Sequence, residues 1–336
     1  MKRCLLGIIT SLFVLLPFTS YAAGLCCQLS SGVQESLSGV VAPGAEQLSL
    51  QLNYSFTSMD KFREGSSSRS LNDIKASALY ASLPVSMDMF KYTLTAGYGF
   101  TPKFKVFVSI PYVRNTMDMT SFNMMMGSWM GMTMTPVHGL GDITVMGLYR
   151  LSTNREIRPT DAVTLGFGVK TPTGSYTEKK PNGTFVHAHM QPGTGSWDPL
   201  LSLIYTKMID QFVIQSNATY ELATRNNEGY KFGDSLALDF AGTYTVVREF
   251  NVTAGLTFLN VNKASDKDGK YTNLASLLDD PANTGGESLW FSPGVQILPF
   301  KNSMIDFKYQ VPVWEKVNGV QLVSSYRYVL GMSYSF

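Results

Sequence analysis

The chain concentrates thioether sulfur in one short stretch. Eight of its seventeen methionines lie in the segment MDMTSFNMMMGSWMGMTMTPVH, which ends on a histidine. The candidate ligands are Met117, Met119, Met124, Met125, Met126, Met130, Met132, Met134 and His138. Thioether sulfur is a soft ligand that selects Cu(I) or Ag(I) over harder cations. The segment therefore predicts either a soft-metal site or an adaptable apolar surface that packs into a mouth or contacts a hydrophobic solute.

Other chemistry-bearing side chains are few. His187, His189 and Met190 lie in a later polar stretch and could add ligands to the same metal site. A nucleophilic enzyme would need a serine beside one of these histidines, and Ser202 or Ser235 is the available choice. The chain has no Gly-x-Ser-x-Gly elbow. We therefore predict no catalytic residue and no cofactor, and keep a barrel hydrolase as the alternative from another class.

The first residues have the organisation of a secretory signal peptide. Lys2 and Arg3 precede an apolar run from Leu5 to Phe18, and small residues surround a cleavage position after Ala22. The run is shorter than the roughly 20 apolar residues that a membrane-spanning helix needs. The predicted organisation is a signal peptide over 1–22, an N-terminal periplasmic segment over 23–45 and one further domain over 46–336.

Charge and cysteine content exclude several classes of protein. Removal of Lys2 and Arg3 leaves 25 basic residues against 25 acidic ones, so the exported chain is formally neutral and no nucleic-acid partner is indicated. The remaining cysteines, Cys26 and Cys27, are adjacent, which excludes a disulfide framework. A vicinal disulfide, an interchain disulfide and two inert thiols all remain open.

Apolar and polar residues alternate from end to end of the remaining chain, with a period of two that is typical of strands. Each alternating segment is about ten residues long, the length that a tilted strand needs to cross a bilayer. An even number of such strands closes into a barrel without a free edge. The pattern predicts an all-β, twelve-stranded antiparallel transmembrane barrel, with strands at 48–56, 90–100, 104–112, 143–151, 163–169, 197–205, 212–220, 236–246, 250–258, 289–297, 305–313 and 326–336.

The lengths of the connections alternate as well. Short links at 101–103, 152–161, 206–211, 247–249 and 298–303 are separated by mostly longer ones. Aromatic residues near the strand ends, such as Tyr54 and Trp197, are placed as interfacial girdles. Together these features predict both termini in the periplasm, with the methionine-rich segment in an outer loop.

One face of the predicted strands carries small and polar residues, which suits a lumen. Charged residues of both signs fall on this face, so the sequence indicates no preference for cations or anions. We expect most of them to form salt bridges inside the barrel and a subset to line a pathway. The inward set is Lys91, Lys105, Asp142, Arg150, Lys170, Asp198, Glu221, Asp239, Asp306, Lys308 and Arg327.

Several stretches resemble a known family. They are YGFTPKFKVFVSIPYV, GLGDITVMGLYRL, GFGVKTPTGSYTE with GTGSWDPLLSLIYTK, and LWFSPGVQILPF with YQVPVWEKVNGVQLVSSYRYVLGMSYSF. In order and spacing they resemble the outer-membrane barrel family named for the meta-pathway of phenol degradation, whose members are often labelled transporters. The resemblance implies an outer-membrane protein of a Gram-negative bacterium, in contact with lipid. It also implies a passive route for small, hydrophobic or aromatic solutes, without catalytic residues.

Two further expectations accompany the resemblance. Outer-membrane barrels are commonly recognised by the assembly machinery through a terminal aromatic residue, and this chain ends on Phe336. The glycines and prolines of the shared motifs are expected to shape strand margins. They are Gly139, Gly141, Pro172, Gly174, Gly193 and Gly195.

Overall fold

The structure is a computed structural model that describes residues 45–155 and 160–336. The predicted signal peptide, nearly all of the predicted periplasmic segment and the Cys26–Cys27 pair lie outside the described residues. The strands are β1 (Leu48–Glu64), β2 (Ser67–Arg69), β3 (Ser82–Gly99), β4 (Phe104–Asn123), β5 (Ser128–Thr133), β6 (Val137–Leu140), β7 (Thr144–Thr153), β8 (Asp161–Lys170), β9 (Asp198–Ile209), β10 (Phe212–Glu221), β11 (Tyr230–Lys231), β12 (Ser235–Val247), β13 (Phe250–Val261), β14 (Ser265–Asp266), β15 (Gly286–Ile297), β16 (Ser303–Val317) and β17 (Val320–Ser335). The helical segments are α1 (Leu71–Ser77) and three single 3₁₀ turns, Ala188–Met190, Leu277–Asp279 and Pro281–Asn283.

Twelve long strands form a closed barrel. Each pairs antiparallel with the next along the chain, in the order β1, β3, β4, β7, β8, β9, β10, β12, β13, β15, β16 and β17. The last strand pairs with the first, from Ser49 opposite Ser335 to Glu64 opposite Val320. Closure leaves no edge of this sheet unpaired. The predicted twelve-stranded antiparallel barrel is therefore confirmed.

The predicted alternation has its expected structural meaning. In β17 the side chains of Leu330 and Met332 are exposed on the outer surface, while Ser333 and Ser335 are buried in the interior. Aromatic rings pair across neighbouring strands on the outer surface, as in Phe212 and Tyr244, whose ring centroids are 4.7 Å apart. A polar interior inside an apolar outer belt is the arrangement of membrane barrels.

The two ends of the barrel differ. Strand β1 begins and strand β17 ends at the same end of the barrel, here called the near end. The links 100–103, 210–211, 248–249 and 298–302 lie at this end, where β7 also ends and β8 begins. The opposite, far end carries the connections 65–81, 124–143, 171–197, 222–234, 262–285 and 318–319. The predicted alternation of connection lengths is confirmed, with the tight 318–319 hairpin as its exception. Which end faces the periplasm stays a prediction.

The methionine-rich segment is not a loop, and this part of the prediction was wrong. Strand β4 does not end near Tyr112 but continues to Asn123, and β5 returns along it after a turn at 124–127. Pairing with β3 on one side and β5 on the other satisfies the backbone groups of the extension. The segment is thus a β-hairpin that prolongs the barrel wall at the far end. Among residues 45–155 and 160–336, no helix is both long and apolar enough to cross a membrane.

Candidate functional site

The interior of the far end is closed by packed apolar side chains, here called the mouth cluster. Its members come from four neighbouring wall strands and from three elements that fold inward, namely α1, the 171–197 connection and the 262–285 connection. The buried members are Met59, Phe62, Ile74, Leu83, Met87, Met117, Met119, Val186, Met190, Leu277 and Leu322. Five of these eleven are methionines, so the cluster is far richer in thioether than the chain as a whole.

Helix α1 supplies one of the inward-folded elements. Ser70 caps its first turn, since its hydroxyl accepts a hydrogen bond from the Asp73 backbone while the Asp73 carboxylate accepts one from the Ser70 backbone. The helix ends at Ala78, whose φ of 53° is left-handed. Caps at both ends allow a helix of two turns to form and to bury Ile74 in the mouth cluster.

The 171–197 connection is pinned to the wall by glycines and one aspartate. A Cβ added to Gly193 would lie 2.6 Å from Asp142 Oδ1, and one added to Gly174 would lie 2.7 Å from the Gly193 Cα. Asp142 accepts hydrogen bonds from the backbone of Gly174 at 3.0 Å and of Thr194 at 2.7 Å. Only glycine permits this approach, so the glycine motifs of the sequence fix the path by which the connection enters the lumen.

Two buried histidines hold the inward-folded connections. His187 Nδ1 lies 2.5 Å from Asp279 Oδ1, which ties the 171–197 connection to the 262–285 connection. His189 is also buried, and burial lowers its pKa from 6.5 to about 4. The carboxylate of Asp279 opposes this shift and His187 adds to it. The His189 imidazole is therefore neutral at pH 7.

Beneath the mouth cluster lies a cavity of about 120 Å³, the upper cavity. His189 and Phe232 line its apolar side, and Lys170 and Glu221 line its charged side. Lys170 Nζ lies 2.9 Å from Asp198 Oδ2 and 2.5 Å from Glu221 Oε1. The Lys170 ammonium group thus pairs with two buried carboxylates, and a buried carboxylate is costly unless it is paired.

A second cavity of about 120 Å³, the lower cavity, lies within the strands β10, β12, β13, β15, β16 and β17. Asp239 accepts hydrogen bonds from Thr257 at 2.7 Å and from Asn217 at 3.5 Å. Arg327 donates to Thr57 at 3.0 Å and lies 5.8 Å from the centre of the Trp290 ring. The lower cavity therefore has charged and polar groups among apolar ones and is built by the wall alone.

The structure places all eleven predicted lumen residues at buried or half-buried positions. Seven of them line the cavities: Lys91, Asp142, Lys170 and Glu221 the upper one, and Asp239, Lys308 and Arg327 the lower one. Asp198 and Asp306 lie beside Lys170 and Lys308 at 2.9 and 3.9 Å. Lys105 and Arg150 are half-buried, and repel each other, towards the near end.

The predicted metal ligands are divided among three places. Met117 and Met119 point inward and are buried, Met134 packs against them, and Met130 and Met132 are half exposed on the same hairpin. Met124, Met125 and Met126 are exposed at the hairpin turn. His138 is exposed and lies 3.1 Å from the Tyr112 hydroxyl, away from the buried sulfurs. Of the additional ligands considered, Met190 joins the mouth cluster, whereas His187 is bonded to Asp279.

Sequence reasoning missed two methionines of the mouth cluster, Met59 and Met87. A signal for them exists, because a hydroxyl residue, a methionine and an aspartate occur together in three successive wall strands. The triplets are Ser58-Met59-Asp60, Ser86-Met87-Asp88 and Thr116-Met117-Asp118. Two of the three triplets lie outside the methionine-rich segment 117–138, on which the prediction of ligands was based.

The hydrolase alternative gains no support from the geometry. The Ser202 hydroxyl is 2.5 Å from the Thr219 hydroxyl in the barrel wall, and Ser235 is the buried first residue of β12. The buried His187–Asp279 pair joins two connections instead of approaching either serine. In the described part of the chain, no group of three or more His, Cys, Asp or Glu side chains is arranged to hold a metal ion.

Comparison with known proteins agrees with this fold, which defines a β-barrel of the outer-membrane type. The COG4313 outer membrane channel from Pseudomonas putida F1 is similar, with a TM-score of 0.57, 12% identity and coverage of 90% of this chain and 98% of that chain. The NanC porin gives a TM-score of 0.41 and 12% identity, with 85% of this chain and 98% of that chain covered. The CymD monoaromatic hydrocarbon channel gives 0.40 and 11%, with 95% and 98% covered.

The family follows from the sequence. A family model described as "Putative MetA-pathway of phenol degradation" matches residues 110–327. This is more than half of the chain, which therefore belongs to that family. No curated protein matches the chain.

Proposed function

We propose that the protein is a channel in the outer membrane of a Gram-negative bacterium for the passive passage of small apolar solutes, aromatic ones among them. The observation that carries this proposal is the arrangement of the interior. Two cavities lie inside one closed barrel, and the mouth cluster covers the upper one at the far end. A solute would enter through the cluster, occupy the cavities and leave at the near end.

The solute class follows from what lines the entrance. The mouth cluster offers aliphatic and thioether side chains, which adapt to apolar surfaces of varied shape. The upper cavity presents the Phe232 ring beside the neutral His189 ring. Its volume of about 120 Å³ is close to the roughly 150 Å³ at which an apolar cavity holds benzene. A single unsubstituted or lightly substituted ring therefore fits best.

The description of the family, which refers to phenol degradation, supports the same class of solute. The barrel that this chain resembles is described as an outer membrane channel, which supports the channel role alone. Both belong to other proteins and set only an expectation for this one. The mixed charges of the cavities do not favour an ionic solute, because Lys170 and Lys308 lie beside carboxylates and Arg327 donates to a hydroxyl.

The test uses the mature chain in liposomes. Entry of a small panel of fluorescent or absorbing solutes is followed by rapid mixing: a neutral phenol, an aromatic carboxylate, a sugar and an inorganic ion. We expect the neutral phenol to enter faster than in protein-free liposomes, and the sugar and ion to show little added flux. Equal flux of all four would indicate an open pore instead, and added flux of none would contradict the channel.

A matched pair of leucines controls for general damage to the barrel. Leu277 is 1% exposed and lies on an inward-folded connection of the mouth cluster, whereas Leu259 is 1% exposed and lies on β13 in a cluster made of strands alone. Only the Leu277→Ala substitution should increase entry of the phenol. An equal increase in both variants would show that leakage through a weakened wall is being measured.

A further inference from the structure

Four methionines occupy one level of the barrel wall at the far end. Met59 in β1 lies opposite Met87 in β3, and Met87 lies opposite Met117 in β4. The backbone N–H of Met134 donates to the Met117 carbonyl at 2.9 Å, which extends the level by one more strand segment. Directly opposed residues have side chains on the same face of a sheet. These four residues are here called the methionine row.

The row faces the interior, and its members are close enough to share a ligand. Met59, Met87 and Met117 are each at most 2% exposed, and Met134 packs against the same cluster. Adjacent strands are about 4.8 Å apart, and a methionine side chain has three rotatable bonds, so sulfurs from three neighbouring strands can converge. Met190 is held against the row from the lumen, since its carbonyl accepts a hydrogen bond from Asn115 at 3.1 Å.

A continuous series of thioethers connects the row to water. Met119 lies opposite Met132 one step further along the hairpin, on the same face as the row. Met130 lies two residues before Met132 in β5, and the side chains of Met130 and Met132 are 46% and 55% exposed, respectively. The turn beyond them carries the exposed Met124, Met125 and Met126. These thioethers lie between solvent and the row, along the path by which a soft ion would reach it.

Negative charge accompanies the row on the other face of the same strands. Asp60, Asp88 and Asp118 each follow a row methionine directly, and alternation places their carboxylates on the outer surface of the wall. Thr133 donates a hydrogen bond to Asp118 at 2.7 Å, so this carboxylate is held beside the hairpin. Carboxylates near the entrance raise the local concentration of cations without competing as hard ligands at the row itself.

We propose that the methionine row binds one soft monovalent cation, Cu(I) or Ag(I), through neutral thioether sulfurs. The ion is bound without oxidation or reduction, and no proton is released because thioethers carry none. The low charge of the ion suits a buried site of neutral ligands. The borderline cation Zn(II) and the hard cation Mg(II) are disfavoured because the row offers them neither imidazole nitrogen nor an anionic ligand. This site goes beyond the proposed channel and does not depend on the passage of an organic solute.

The first experiment compares two triple variants of the mature chain in detergent. Met59→Leu/Met87→Leu/Met117→Leu removes the sulfurs of the row with little change in apolar volume, and Met124→Leu/Met125→Leu/Met126→Leu removes the same number from the exposed turn. The wild-type reference and both variants carry Cys26→Ser and Cys27→Ser, so that no thiol competes with the thioethers. Ag(I) is titrated calorimetrically, and Cu(I) by competition with a colorimetric chelator under a non-thiol reductant. Zn(II) serves as the negative control.

We expect the row variant to bind Ag(I) at least about tenfold more weakly than wild type, while the turn variant keeps wild-type affinity. Equal binding by wild type and row variant would overturn the proposal. Loss in the turn variant alone would also overturn it, because it would place the ligand at the surface. Retention of the heat-modifiable mobility of a folded barrel is required of both variants before they are compared.

A second measurement does not depend on the triple variant. Methionine methyl groups labelled with ¹³C are observed by NMR in the wild-type barrel as Ag(I) is added. We expect the methyl resonances of Met59, Met87 and Met117 to shift together and to saturate at one equivalent. Assignment uses single Met→Leu variants. A spectrum in which only the exposed methionines respond, or in which none does, would contradict a site at the row even if the triple variant failed to fold.

Discussion

The space inside the barrel is filled at the far end and lined in the near half by different parts of the chain. Both regions lie inside one closed barrel, and both must fill or line the space that twelve strands enclose. At the far end, inward-folded connections fill that space with Met190, Leu277 and their neighbours. In the near half the wall itself supplies polar side chains, such as Asp239 and Arg327, around an unfilled cavity.

The difference separates what is fixed from what can move. A side chain on a barrel strand is held by pairing on both sides, so it changes position only if the wall does. A side chain on a connection is held by local contacts, and local contacts open at lower free-energy cost than the whole fold. The side of the mouth cluster that the inward-folded elements supply is therefore the part of the interior that can open while the barrel persists.

The largest effect should come from the charged belt of the upper cavity. Lys170→Met would leave the buried Asp198 and Glu221 carboxylates without their cation. Loss of one partner of a buried ionic group typically costs about 3–5 kcal/mol. We expect the free energy of unfolding in urea, measured on the refolded barrel in lipid vesicles, to fall by about this amount.

Lys308→Met is the matched substitution in the lower cavity. Lys308 lies 3.9 Å from Asp306, a longer contact than either contact of Lys170, so its loss should be the smaller of the two. Equal losses from the two lysines would contradict the view that ionic pairing is tighter beneath the mouth than in the lower cavity.

The second-largest effect should distinguish a leucine on a wall strand from a leucine on an inward-folded connection. Leu277→Ala and Leu259→Ala each remove a fully buried leucine, a change that costs about 2–5 kcal/mol where the surroundings cannot relax. In Leu259→Ala we expect this cost to appear in the free energy of global unfolding. In Leu277→Ala we expect it instead as faster amide exchange in residues 262–285, with global unfolding nearly unchanged. If Leu259→Ala changed only local amide exchange while Leu277→Ala lowered the free energy of global unfolding, the distinction between wall and connection would be contradicted.

The sequence predicted the wall well and the mouth poorly, for one physical reason. Alternation along segments such as 326–336 reports a strand between two environments, and it located all twelve strands and the inward face of Asp239 and Arg327. Alternation carries no information on where a connection folds. The hairpin of β4 and β5, the inward path of the 171–197 connection and the pairing of His187 with Asp279 all depend on contacts between distant residues.

A third and smaller effect concerns pH. Burial lowers the pKa of His189 to about 4 from 6.5, so the unfolded connection binds a proton between these values and the folded one does not. Stability from the buried neutral ring is fully present above pH 6.5 and is lost as the pH falls towards 4. We expect amide exchange in residues 185–191 to accelerate over this window in wild type. His189→Gln, which cannot titrate, should show a much flatter pH profile, and an unchanged profile would assign the effect to another group.

The smallest effect is expected at the hairpin turn. Met124, Met125 and Met126 are 86%, 96% and 69% exposed, so their replacement by serine removes few contacts. Each should change the free energy of unfolding by less than about 0.5 kcal/mol. Thermal unfolding of the triple variant measures this directly. A large loss of stability would mean that the turn packs against a surface and is not the free tip of the hairpin.

The central claim is that solutes pass only when the mouth cluster opens, and a reversible lock tests it. Ser82 in β3 and Ser276 in the 262–285 connection form an isolated bridge, and the Ala81 backbone donates to Ala275 at 2.8 Å. Such pairing brings Cα atoms within the roughly 4.4–6.8 Å that a disulfide requires. The variant Ser82→Cys/Ser276→Cys, made with Cys26→Ser and Cys27→Ser, can therefore tie this connection to the wall.

Phenol entry into liposomes is measured for the oxidised and the reduced forms of this variant, with the Cys26→Ser/Cys27→Ser parent as the control. We predict that oxidation abolishes the added flux and that reduction restores it to the rate of the parent. Entry that is equally fast in the oxidised and reduced forms would contradict a channel whose entrance is the mouth cluster.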